Sequence, residues 1–137
     1  MILLFVSCSG KSQSINKITY NSVGGEMGGY VRVQMTKDSI TGGITATSGK
    51  KITIREKTPK TLWDSLTRQI TIKDFREIKS GKSVQYIDGI DISVKIETDK
   101  ESYSLLNGDI DRIKNKKVFY FMEALEDKLR KISLTGK

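Results

Sequence analysis

Two Gly-Lys-Ser triplets, at 10–12 and 81–83, and the tetrad Ser48-Gly-Lys-Lys51 are the stretches whose spacing could do chemistry. Gly-Lys-Ser ends a phosphate-binding loop whose backbone amides cradle phosphates, and that loop needs a further glycine five positions earlier. Phe5 and Arg76 stand there instead. Ser48 and Lys51 satisfy S-x-x-K, in which a lysine can assist a serine nucleophile, but no Ser-Asp-Asn or Lys-Thr-Gly companion accompanies them. Histidine is absent. That removes Ser-His and Cys-His nucleophile pairs, histidine bases and most zinc sites. Asp88 with Asp91, and Asp109 with Asp111, could meet around calcium, yet Asn107-Gly-Asp-Ile-Asp111 has its glycine misplaced for a calcium loop. Turn and cap roles fit these aspartates better. No catalytic, metal-ligating or cofactor-binding residue is assigned, and the expectation is a protein that is not an enzyme.

The remaining reactive group is Cys8, the sole cysteine, which follows the apolar run Ile2-Leu-Leu-Phe-Val6 and the small Ser7. With one cysteine no internal disulfide can form. An apolar run, a small residue and then cysteine is the pattern of a bacterial lipobox, where the thiol is acylated and the upstream peptide removed. Phe5 occupies a position where leucine is usual, while Val6 and Ser7 fit. A full secretory signal carries a basic start and an apolar stretch of about 7–15 residues. Residues 1–7 contain no Lys or Arg and fall short of that length. They therefore read either as the end of a longer signal or as the short apolar opening of a cytosolic chain. A membrane-spanning helix takes about 20 apolar residues, and no stretch downstream of Cys8 approaches this.

At 137 residues the chain has the size of one domain, large enough to fold without a metal. Hydrophobic residues make up 36% and charged residues 29%, the balance of a folded globule and not of a disordered chain. The formal charge is +8. Such an excess favours anionic lipid headgroups or nucleic acid. Acidic residues are interspersed throughout, however. The densest basic spots, Lys50-Lys51 and Lys114-Asn-Lys116-Lys117, are short enough to be solvated faces.

Residues 9–16 are small and polar, a tether rather than an element. Period-two alternation follows at Ile18 and Tyr20, then at Val31, Val33 and Met35. Between these strands lie Gly24, Gly25, Glu26, Met27, Gly28 and Gly29, a permissive hairpin loop and the candidate partner-contact loop. Ile40, Ile44 and Ala46 suggest a strand interrupted at Gly42-Gly43, where glycines mark a bulge or a close backbone approach, and Ile52 with Ile54 suggest another. Thr58-Pro59 predicts a helix start with Thr58 as cap and Pro59 at the first position, followed by the stripe Leu62, Trp63, Leu66 and Ile70. Trp63 belongs to that stripe and is expected in the core. Thr71 with Asp74 predicts a second, short helix through Phe75 and Ile78, stopped by Gly81. Ile90, Ile92, Val94 and Ile96 alternate cleanly and turn at Asp99-Lys100 into Tyr103 and Leu105. A helical turn is expected over 109–113, and Val118, Phe121, Met122, Leu125, Leu129 and Ile132 then mark a long amphipathic helix. This order predicts an α+β fold: an antiparallel sheet of short strands with two or three helices packed on one face. The expected organisation is a signal segment at 1–7, lipidated Cys8 and tether at 8–16, and one domain over 17–137.

Leu3-Leu-Phe-Val-Ser-Cys8, the polar tether and a lysine-rich α+β domain together resemble the small lipoproteins of Bacteroidota-type bacteria. That resemblance implies a diacylglyceryl group and an amide-linked fatty acid on Cys8, with membrane lipid as the partner of the acylated terminus. The tether Ser9-Gly-Lys-Ser-Gln-Ser14 lacks the acidic residues of surface-export signals in that group, which favours the outer membrane and a periplasm-facing position. The expected function is a lipid-anchored cell-envelope protein acting by binding or interaction, without a cofactor. The alternative is a cytosolic, basic nucleic-acid-binding module. Tyr20, Tyr30, Tyr86 and Tyr103 could stack on bases, but no nucleic-acid motif accompanies them, so specific binding of that kind is not expected.

Overall fold

The computed structural model describes residues 14–25, 29–68 and 70–135. Cys8 and residues 26–28 of the glycine loop lie outside the described residues. Six strands form one antiparallel sheet: β1 (Ile15–Gly24), β2 (Gly29–Thr36), β3 (Ser39–Thr45), β4 (Lys51–Lys57), β5 (Ile90–Thr98) and β6 (Ser102–Leu106). Their spatial order is β4-β3-β2-β1-β5-β6. The first four strands thus run as a meander, and the β5–β6 hairpin docks on the free edge of β1. Three helices complete the described chain: α1 (Lys60–Thr67), α2 (Ile72–Arg76) and α3 (Lys116–Thr135), with a 3₁₀ turn at Gln85–Ile87. The α+β expectation therefore holds.

Register sorts the side chains. Ile18 stands opposite Met35 and Ile96, and Tyr20 opposite Val33 and Val94. Because alternate residues share a face, these rows extend through Ile40, Ile54 and Leu105 into one apolar surface. All three helices pack there: Trp63 and Leu66 from α1, Ile72 and Phe75 from α2, and Val118, Phe121 and Leu125 from α3 are buried with it. Phe75 and Phe121 meet edge to face, with ring centroids 5.3 Å apart. The opposite face carries Lys17, Thr19, Asn21, Arg32, Gln34, Thr53, Arg55 and Lys95, and among the described residues no helix packs on it, as one side of an antiparallel sheet allows.

Several local expectations change. β1 begins at Ile15, a buried residue, so the domain starts two residues inside the stretch read as tether. β3 runs unbroken through Gly42-Gly43. At Gly42 an added Cβ would lie 2.1 Å from the Arg32 carbonyl oxygen, so of the two readings of this glycine, bulge or close backbone approach, the second holds, without an interruption. Thr58 does not cap α1. Its hydroxyl donates to the Thr36 carbonyl at 2.8 Å, which turns the side chain toward the sheet and leaves Pro59 as the N-cap. Thr71 and Asp74 do form a reciprocal capping box on α2. That helix ends at Arg76, well before Gly81, whose amide instead donates to the Leu106 carbonyl. Residues 112–115 form turns before α3, slightly later than the helical turn read at 109–113.

The two sheet edges differ. Beyond β6, Ser80 and Gly81 hydrogen-bond to Leu106, so a loop covers part of that edge. β4 is the free edge and carries Lys51, Arg55, Glu56 and Lys57, the charged character that discourages strand addition.

Candidate functional site

β1 separates two ends of the molecule. Its ten residues, at about 3.3 Å each, place Ile15 roughly 30 Å from Gly24. The segment bearing Cys8 joins the fold at the Ile15 end. At the other end, Gly24 and Gly25 of the hairpin pack against the loop leading into β5. The Gly25 amide donates to the Gly89 carbonyl at 3.2 Å. Both glycines have positive φ, 105° and 89°, and a Cβ on Gly24 would lie 2.6 Å from that same carbonyl oxygen. Part of the candidate contact loop is therefore built into a larger surface.

That surface is apolar where water would ordinarily select polar residues. Tyr86 is 83% exposed, Ile87 64% and Ile90 52%, all on one short segment. Large apolar side chains exposed so close together in sequence are a feature of interaction surfaces. The segment is held firmly by Asp91. Its carboxylate accepts from Ser83 Oγ at 2.6 Å, the Val84 amide at 2.8 Å, Gln85 Nε2 at 3.0 Å and Asn107 Nδ2 at 2.8 Å. The Ser83 hydroxyl, then the Val84 amide, with Asn107 and Gln85 after them, hold this carboxyl down at about 2 against the opposing effect of burial. A carboxylate with four donors is a fastener and has no free lone pair for acid–base work. Asn107, at φ 42°, completes the joint: its Oδ1 accepts from the Ile92 amide and its Nδ2 also donates to the Lys82 carbonyl.

Beside this loop a cavity of about 530 Å³ opens between the β5–β6 hairpin and the first half of α3. Ile92, Val94, Leu105, Ile110, Phe119 and Met122 give it an apolar lining, while Asp109, Glu123 and Glu126 stand at its polar side. Burial raises the Glu126 carboxyl above its ordinary range, with Arg130 opposing and Glu123 adding to the rise. Tyr20, opposite Val94 in the ladder, is pushed up to about 12, first by burial and then by the Glu126 charge. The volume and apolar lining suit a small ligand or an inserted side chain.

The first Gly-Lys-Ser triplet, at 10–12, lies outside the described residues, and the other sequence candidates among the described residues do not assemble into a site. Ser83 of the second Gly-Lys-Ser triplet is bound to Asp91, and Ser48 shapes a turn by accepting from the Lys50 amide at 3.5 Å. Asp111 caps the turn before α3 by accepting from the Ile113 and Lys114 amides, both at 2.8 Å. Asp91 is buried, unlike the solvated turn residue expected of it. No group of three or more His, Cys, Asp or Glu side chains that could hold a metal occurs among the described residues. Trp63 is core, as its stripe predicts, although its edge reaches a cleft near the β2–β3 turn. Among the described residues no helix is long and apolar enough to cross a membrane. Missed in the sequence were the Asp91 joint and the apolar loop. The pair Tyr86-Ile87 inside an otherwise polar stretch was the available signal for the second. No known protein-family model matches the chain, and no curated protein matches it.

Proposed function

We propose that this protein is a lipid-anchored cell-envelope module that works by binding, with acylated Cys8 at one end and a partner-contacting surface at the other. One observation carries the reading. The exposed Tyr86, Ile87 and Ile90, with the apolar cavity beside them, lie at the Gly24 end of β1, away from the end where the Cys8 segment enters. A tether at one pole leaves the other pole free to meet a partner. Several acyl chains hold a protein stably at a bilayer, whereas one does so only marginally. The rigid Asp91 joint suits recognition, since a preordered loop loses little conformational entropy on binding.

The test has two arms, both on the full-length chain expressed in a bacterium. Labelled palmitate should enter the wild type and not Cys8→Ala, and the variant should shift from membrane to soluble fractions. A photo-reactive residue at Ile87 should yield a discrete crosslinked species in cells, while the same residue at the exposed Lys73 of α2 should not. Label retained in Cys8→Ala removes the anchor. Equal crosslinking at both positions removes the contact surface.

A further inference from the structure

The open face of the sheet is not uniform. Over β1 and β5 its charges are paired: Glu97 lies 3.4 Å from Lys17 and 3.5 Å from Lys95. Over β2, β3 and β4 this face holds Arg32, Lys51, Arg55 and Lys57 and no acidic residue. Elsewhere arginines are engaged: Arg68 and Arg76 pair with Asp64 and Glu101, and Arg112 lies over the Phe119 ring. Arg32 and Arg55 are exposed and have no carboxylate within ion-pairing distance among the described residues.

A gap lies between them. Gly43 stands directly opposite Arg32 on one side and Thr53 on the other, and its missing side chain leaves a shallow trough of about 260 Å³. Tyr30, 39% exposed, borders it at one end, and Gln34 and Thr41 border it at the other, with Arg55 opposite Thr41 on β4. In the same row, Asn21 donates to Ser93 Oγ, but its shielded Oδ1 has no donor among the described residues. Among the described residues, then, no group closes the row.

From this arrangement we infer that the β2–β4 face binds an acidic polysaccharide, with Arg32 and Arg55 gripping a carboxylate or sulfate of one sugar unit over Gly43. Guanidinium forks match such planar or branched oxyanions through paired hydrogen bonds. The ring of Tyr30 offers an apolar face to a sugar, and the threonine and glutamine side chains can exchange hydrogen bonds with its hydroxyls. Two other anionic surfaces fit less well. Membrane docking calls for interfacial aromatic and aliphatic side chains beside the bases, and this face offers one tyrosine. Single-stranded nucleic acid calls for successive stacking aromatics, which are lacking in the same way.

The experiment uses the full chain carrying Cys8→Ser, so that acyl chains do not enter the assay. Polygalacturonate and dextran sulfate are titrated by calorimetry, with neutral dextran, phosphatidylglycerol vesicles and a single-stranded oligonucleotide as comparisons. Arg32→Gln and Arg55→Gln should each weaken binding of at least one acidic polysaccharide by about tenfold. Lys116→Gln with Lys117→Gln, which removes twice the charge of either arginine variant elsewhere, should change it less than about twofold. Both arginines are exposed, so unchanged thermal melts will show that the variants remain folded. Equal losses from the lysine variants would reduce the effect to net charge and overturn the inference. So would neutral dextran binding as well as the acidic polymers, or Arg32-dependent binding confined to vesicles or to the oligonucleotide. Failure here leaves the Cys8 and Ile87 tests untouched, because neither reads this face.

Discussion

Lys128 Nζ lies 2.7 Å from Glu56 Oε1, tying the second half of α3 to the outermost strand of the sheet. The first half of the same helix faces the opposite side, where Phe119 and Met122 look toward β5 and β6. α3 therefore spans the sheet from one hairpin to the other, and the pair fixes its far end. Both side chains keep contact with water, with Lys128 23% and Glu56 37% exposed, so the coupling is modest. A double-mutant cycle with Glu56→Gln and Lys128→Met should return about 0.5–1 kcal/mol. A value indistinguishable from zero would mean that apolar packing alone sets the crossing.

Leu125, 1% exposed, sits at the middle of that crossing. Leu125→Asp places an unpaired charge among Ile, Leu and Phe side chains. The expected cost is at least about 4 kcal/mol, a large share of the stability of a domain this size. Circular dichroism should show a loss of cooperative melting. A melt matching wild type would misassign the buried face of α3.

The Asp91 joint makes stability depend on acid. Its folded carboxyl is depressed, so its contribution is complete above the ordinary aspartate range and fades as pH falls through about 2. Asp91→Asn should therefore melt below wild type at neutral pH, with the gap closing near pH 2. Amide exchange should locate the damage at Val84 and its neighbours. A gap of constant size down to that pH would show that the charge contributes nothing.

Glu126 has the opposite sign. Burial raises its folded pKa, so the charged form destabilises the fold above that value, and the penalty vanishes once pH drops below the ordinary glutamate range. Glu126→Gln should raise the melting temperature at neutral pH and leave it unchanged in acid. Loss of stability at neutral pH would mean that Glu126 holds a stabilising contact.

How legible these features were depends on how local their causes are. The strands at Val31–Met35 and Ile90–Ile96 and the capping box Thr71–Asp74 were legible because alternation and i, i+3 reciprocity lie within a few residues. The role of Thr58 was not, because its partner is the Thr36 carbonyl, 22 positions away. A bulge or a close backbone approach was legible at Gly42, but the choice between them was not, because sequence cannot show that β2 passes within reach of its Cα. The candidate sites follow the same rule. The glycine hairpin announced itself, whereas Asp91 draws donors from 83–85 and from Asn107, and Arg32 and Arg55 come to one face only through the pairing of three strands. Cys8 was legible as a pattern, and its surroundings lie outside the described residues.

The central place of β1 has a consequence for how the chain folds. β2 can pair with β1 as soon as about twenty residues are in place, and β3 and β4 follow by short turns. The other edge of β1 must wait for β5, which joins Ile18 to Ile96 across more than half of the domain. Closing so long a loop is slow relative to forming hairpins. During that interval a four-stranded half-sheet would expose the backbone of β1 and the apolar row Ile18, Val33 and Met35 together. The nascent protein is thus most vulnerable to self-association before residue 98 arrives, and substitutions that hasten the docking of β5 would protect it more than those that strengthen the first meander.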